Sequence, residues 1–203
     1  MSRTIIYSAL SLRCRPSGES NSEVTLLTAE EGIIKATVFG GAKNKLRSHS
    51  SPYNSGQVWI YRDPAKEHRS LSDFDVRSWR PGLRELYERT MAACGIAETI
   101  LASHGGGGEW SKALSLAEKA LDTLETADEE KCERILVRFL WRWIEFLGIQ
   151  PEFWDSLAYQ QPQGSNFEGQ SSNLYQKSLA ATKALVTGIM SDVIGKRLSS
   201  WDW

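Results

Sequence analysis

The run Gly40-Gly41-Ala42-Lys43-Asn44-Lys45-Leu46-Arg47-Ser48 places three cations on a stretch opened by two glycines. Glycine lets a main chain come close to a phosphate, and long Lys and Arg side chains neutralise it without demanding one base sequence. A flexible loop of this kind can wrap a phosphodiester backbone. A solvated basic loop has the same composition, and spacing alone leaves both readings open. Trp59, Tyr61 and Phe39 fall on the outer faces of their strands beside Lys35 and Arg62, a mixture suited to stacking unpaired bases. Such stacking contributes roughly 1–3 kcal/mol per base. Packing of Trp59 and Tyr61 against a second layer of the same protein is the alternative.

A second group of cations, Arg134, Arg138 and Arg142, recurs at i, i+4 and i+8, giving one basic stripe on a helix beside Phe139, Trp141 and Trp143. Guanidinium groups pair carboxylates and an apolar groove takes a ring, so an acidic, aromatic-tipped peptide would fit there. Pairing with neighbouring acidic helices is the other reading. Bond-making chemistry has no visible carrier. His104-Gly105-Gly106-Gly107-Gly108 is similar to the oxyanion-hole run of esterases, but the chain has no Gly-x-Ser-x-Gly elbow and only His49, His68 and His104 as bases. The run reads as a connection between helices. There is no phosphate-binding loop of the Walker type, no GxGxxG, no HExxH and no distinctive carboxylate pair. Cys14, Cys94 and Cys132 lie far apart without a CxxC, which predicts reduced, buried thiols rather than a disulfide framework or a zinc site. The expectation is a non-enzyme without cofactor or metal.

The elements that must position these residues divide in two. Ile33–Phe39 alternates, with Ile34, Ala36 and Val38 on one side and Lys35, Thr37 and Phe39 on the other; Gln57–Arg62 repeats the pattern with Val58 and Ile60 against Trp59 and Tyr61. Ile5–Arg13, Glu23–Thr28 and, less clearly patterned, Leu71–Trp79 complete five short strands, and Ala29-Glu30-Glu31-Gly32 is a turn between the second and third. Five strands in about 80 residues predict a small barrel, OB-like or SH3-like. After Arg80-Pro81-Gly82 the period becomes helical: Leu83 to Leu101, Trp110 to Leu124, a helix from an Asp128 N-cap to Gly148 with Pro151 beyond, and a last helix over Asn173–Leu198. Residues 159–172 read as a polar linker, and Trp201-Asp202-Trp203 as a tail folded onto the surface. No internal repeat is visible.

Composition permits this plan. The chain has 203 residues, 41% hydrophobic and 24% charged, enough for a real core. Its net charge of −1 conceals an asymmetry: residues 1–90 carry 14 Lys and Arg against 10 Asp and Glu, so the first part stands at +4 and the remainder at −5. A local basic surface is compatible with the acidic total. Neither a leader-like start nor a long apolar run is evident, which predicts a soluble, cytoplasmic protein without a membrane partner.

The order and spacing of Arg15-Pro16-Ser17-Gly18-Glu19-Ser20, Leu26-Leu27-Thr28-Ala29-Glu30-Glu31-Gly32, Gly40-Gly41-Ala42-Lys43 and Ser51-Pro52-Tyr53 resemble the N-terminal OB-fold of the RecO family of DNA-repair proteins. Arg138-Phe139 to Leu147-Gly148 is a weaker match to the helix that closes that family's helical core. The resemblance implies an α+β chain, with an OB-fold DNA-binding barrel over 1–80 and a helical domain over 81–203. It implies a bacterial, nucleoid-associated recombination mediator that binds single- and double-stranded DNA and anneals strands coated with single-strand binding protein. With RecR, such a protein helps load the recombinase RecA. Carried onto this sequence, Lys43, Lys45 and Arg47 are the first DNA contacts, with Arg13, Arg15 and Lys35 in support and Trp59 and Tyr61 as stacking platforms. Arg138, with Arg134 and Arg142, would meet the acidic tail of the single-strand binding protein. Residues 151–203 lack the four cysteines that many relatives place there around zinc, so this segment is divergent and no zinc is expected. An RNA-binding OB module and a protein–protein adaptor are the alternatives.

Overall fold

The computed structural model describes residues 4–40, 44–63, 68–106, 108–152 and 172–201. Five strands, β1 (Thr4–Ser17), β2 (Asn21–Thr28), β3 (Gly32–Val38), β4 (Ser55–Asp63) and β5 (His68–Ser78), close into a barrel in the order β1-β2-β3-β5-β4. β3 and β5 run parallel, whereas the other neighbours are antiparallel. A short helix, α1 (Lys45–His49), lies between β3 and β4. This order is OB-like and decides between the two barrels the sequence left open. The alternation read in the sequence holds: Val24, Leu26, Ile34, Ala36, Val38, Val58 and Ile60 fill the interior with Tyr7, Leu71 and Phe74.

β1 is long because it serves two neighbours. Its first half pairs with β4, its second with β2, and a shift between Ser11 and Arg13 bends it from one to the other. Leu10 and Leu12 of β1 and Leu27 of β2 point away from the barrel interior and join the core of the helical half. Tyr53, at φ 75°, packs there too, its hydroxyl 3.2 Å from the Cys94 sulfur. Burial, reinforced by that thiol, holds the phenol in its protonated form.

A 3-10 turn, Pro81–Arg84, leads into α2 (Tyr87–Ala102), α3 (Trp110–Glu125), α4 (Glu129–Leu147) and α5 (Ser172–Ile194), followed by a last turn at Ser199–Trp201. α2 therefore starts later than the helical spacing from Leu83 suggests, because Pro81 and Gly82 support only a 3-10 turn there. Asp128 sits at the N-cap of α4, but its carboxylate engages Lys131 Nζ at 2.6 Å. Gly148 ends the helix at φ 67°. The glycine run after α2 is the predicted connection: His104, Gly105 and Gly106 all take positive φ. Cys132 is buried and its thiol is pushed up by that burial, whereas Cys14 and Cys94 are only half-buried; all three are free.

Of the expected surface tail, Asp202 and Trp203 lie outside the described residues, and Trp201 departs from expectation. Trp201 is fully buried in the helical core, and its indole N–H donates to Thr99 Oγ1 at 3.2 Å; it is not a surface tail. The absence of a side chain at Gly95 allows this, since a Cβ there would stand 3.3 Å from the Ser200 carbonyl and 3.1 Å from a Leu136 methyl. Residues 153–171, which contain most of the expected linker, lie outside the described residues. Among the described residues no helix is long and apolar enough to cross a membrane, and no group of side chains could hold a metal ion.

Candidate nucleic-acid interface

The register of β1, β2 and β3 aligns Arg13, Thr25 and Lys35 in one row and Arg15, Glu23 and Thr37 in the next. The residues that alternate with them along β2 and β3, Val24, Ala36 and Val38, are buried in the barrel, so the rows lie on its outer face. Arg15 and Lys35 are exposed. Lys35 has one diagonal partner, Glu23, at 3.7 Å, and both side chains are well solvated, so the pair contributes little. Three of the cations expected from the sequence are thus brought together.

Lys45 and Arg47 stand elsewhere, and on a helix rather than a flexible loop. Asn44 caps α1, its side-chain oxygen accepting from the Leu46 N–H at 3.0 Å while its amide donates to the Phe39 carbonyl at 2.7 Å. Leu46 packs on the barrel core, which turns Lys45 and Arg47 outward. Lys43 lies outside the described residues. Trp59 and Tyr61 occupy a further face. They are half-buried on β4, opposite Ile6 and Thr4 of β1 and Asp73 and Ser70 of β5. Ile6 is exposed beside Trp59, while Phe39 reaches His68, ring centres 5.9 Å apart. The helices instead meet the barrel through Leu10, Leu12 and Leu27.

The basic face of β1–β3 borders a groove of about 800 Å³. Its other wall comes from the end of α2, from His104 and Trp110, and from Lys196–Ser199 after α5. The Trp110 indole lies on the β2–β3 turn, where a Cβ at Gly32 would come within 2.7 Å of it. Lys196 and Arg197 were not singled out from the sequence; the only signal was two adjacent cations following Gly195, which ends α5 at φ 70°.

Glu31, at the edge of this groove, has its charge committed. It accepts from Tyr7 Oη at 2.5 Å and from Arg69 Nη2 at 2.7 Å. Burial raises its carboxyl, but the Tyr7 and Arg69 donors outweigh that and hold it below its ordinary value. Burial, then the Glu31 hydrogen bond, pushes the Tyr7 phenol up to about 12. A carboxyl with a lowered folded value stabilises the protein above its unfolded value of 4.5, and this is lost as pH falls through the folded one. A phenol with a raised value stabilises below 10.0, and this is lost as pH climbs to about 12. Urea midpoints against pH are therefore expected to be flat near neutrality and to fall at both extremes. Tyr7→Phe should flatten the alkaline fall, and Glu31→Gln the acid one.

Arg134, Arg138 and Arg142 are exposed on α4, but the neighbouring aromatics are not available beside them. Phe139, Trp141 and Trp143 are all buried, with Phe139 stacked on Trp143 at 5.4 Å and Trp143 donating to Ser103 Oγ at 2.9 Å. Arg142 pairs with Glu145 of its own helix at 3.1 Å. The stripe is a charged surface without an apolar groove formed by those rings. The helical core claims them because α4 packs against α2, α3 and α5.

Residues 1–79 match the family model described as Recombination protein O N terminal. The chain is similar to the DNA repair protein RecO of Gloeothece citriformis, 25% identical over 181 residues that are 82% of this chain and 59% of the relative. It is also similar to the DNA repair protein RecO of Gloeobacter violaceus, 24% identical over 152 residues, 74% of this chain and 58% of that one. The chain thus spans about three fifths of the length of these curated relatives. The resemblance read from the Arg15 to Tyr53 motifs and the OB-like barrel are both borne out.

Proposed function

We propose that this chain, RecO-like through its barrel, acts in DNA repair and recombination as a non-enzymatic mediator that binds single-stranded DNA and anneals complementary strands. The observation that carries this reading is the row of Arg13, Arg15 and Lys35 on the outer face of an OB-like barrel. Cations on such a face neutralise backbone phosphates, and counterion release then drives binding with little sequence preference. Lys43, Lys45 and Arg47 extend the charge along the segment between β3 and β4, while Trp59 and Tyr61 offer rings on a separate face that can stack a second stretch of bases. Two DNA-binding faces on one barrel would suit a protein that holds two strands close enough to pair. The same reading divides the chain at residue 80 into a DNA-binding barrel and a helical half. In that half, Arg134, Arg138 and Arg142 receive the acidic tail of single-strand binding protein by charge pairing; RecR and, indirectly, RecA are the further partners. The place of action is the bacterial cytoplasm, at the nucleoid.

Fluorescence anisotropy of labelled single-stranded DNA across a salt series tests the reading. Wild-type affinity is expected to fall steeply with salt. Changing Lys43, Lys45 and Arg47 together to Ala should make the slope of log affinity against log salt shallower by up to about 2, at roughly 0.7 per phosphate contact on a single strand. Absence of wild-type binding, or affinity indifferent to salt, would overturn it.

A further inference from the structure

We propose that the groove between the barrel and the chain after α5 is a track for the backbone of single-stranded DNA, completed by Lys196 and Arg197. This rests on the mediator reading and adds the helical half to the DNA-binding site. Five cations line the groove: Arg13, Arg15 and Lys35 from the barrel, and Lys196 and Arg197 from the far wall. Against them stand two carboxylates, both engaged. Glu31 is held by Tyr7 and Arg69, and Glu98 accepts from Ser200 Oγ at 2.7 Å. The groove is thus net positive on both walls, as a polyanion requires and as one basic strand face would not provide.

A second observation points to an absent acceptor. Arg13 Nε is buried and has no hydrogen-bond partner among the described residues. A buried donor without an acceptor is costly, and a small shift of the Arg13 side chain toward a phosphate in the groove would relieve it. The walls also offer half-exposed apolar ground, Ile33 and Leu101 with the Trp110 ring, on which a base can rest while its phosphate meets the cations. The far-wall cations are held in place. Gly195 turns the chain out of α5, and Leu198 and Trp201, both buried, anchor the closing turn. Lys196 and Arg197 are therefore carried between fixed points rather than on a free tail.

The test is anisotropy with a labelled oligothymidylate and the full chain. Loss of two phosphate contacts in the Lys196→Ala/Arg197→Ala variant should make the salt slope shallower by about 1.4 and weaken binding about 25-fold at 0.1 M salt. Glu98→Gln, which removes a negative charge from the groove and keeps an oxygen for Ser200, should tighten binding by about threefold. Wild-type affinity and slope in the double variant would overturn the proposal, as would weakening without a change of slope, which marks a structural loss. If the double variant does not fold, as its thermal melt would reveal, Glu98→Gln decides: tightening supports the track and unchanged affinity overturns it. A wild type that binds no DNA would instead defeat the broader reading, a result distinct from binding that ignores the groove.

Discussion

Trp201→Ala is expected to lower the unfolding free energy by about 3–5 kcal/mol, the range for truncating a large, fully buried aromatic. The indole is wholly buried against α2, and its N–H satisfies Thr99 Oγ1, itself buried and bonded onward to the Gly95 carbonyl. Alanine leaves a cavity that the rigid α2–α4 contact at Gly95 cannot close, because Leu136 and the Ser200 carbonyl already crowd that glycine. Trp201→Phe keeps most of the packing and loses only the hydrogen bond, so a loss of about 1–2 kcal/mol is expected. Urea unfolding of the three proteins, at constant m-value, checks the ordering. Equal midpoints for wild type and Trp201→Ala would mean that the closing turn adds nothing to the core.

The second large effect belongs to Arg80. Its side chain is 2% exposed and donates to the Tyr53 carbonyl at 2.6 Å, to Ser55 Oγ at 3.1 Å and to Asp122 at 2.7 Å. One guanidinium thereby ties the approach to β4, the start of β4 and helix α3. Asp122 is more than half exposed and returns to water if its partner is lost, the Tyr53 carbonyl is in a half-buried residue, and Ser55, 2% exposed, stays out of water. Arg80→Ala should therefore cost about 2–4 kcal/mol, set by stranded acceptors more than by Coulomb attraction. Arg80→Lys keeps the charge but not the fork, and should recover less than half. Thermal melts of both variants would show it; an alanine variant as stable as wild type would remove Arg80 from the joint.

Arg80 also shows where reading from sequence stops. Alternation located Ile34, Ala36 and Val38 inside the barrel because a two-residue period is a local property of the chain. The helical period located α3 and α4 for the same reason. Nothing local says that an arginine before Pro81 will be buried, since its three acceptors come from residues 25 to 42 positions away. Helix α1 was missed although Asn44 was in view, because one five-residue turn is too short to show a period. The candidate site divides in the same way. The Arg13, Arg15 and Lys35 cluster could be anticipated from strand pattern and family likeness, whereas Lys196 and Arg197 reach the same groove through the turn at Gly195 and the burial of Leu198 and Trp201. The aromatics beside the Arg138 stripe were legible as residues but not as core, since Phe139, Trp141 and Trp143 are claimed by helices on several sides of α4.

The parallel seam, where Thr37 of β3 stands opposite Ser70 of β5, has a kinetic consequence. The β2–β3 and β4–β5 hairpins each join neighbours in the chain and can form early, but the seam must bring together segments more than thirty residues apart, and β1 must reach still farther to Tyr61 of β4. Long-range closure carries its loop entropy before its contacts repay it. Ring closure is thus expected to come late in folding, with the basic rows of β1–β3 assembled as a meander before the barrel around them is shut.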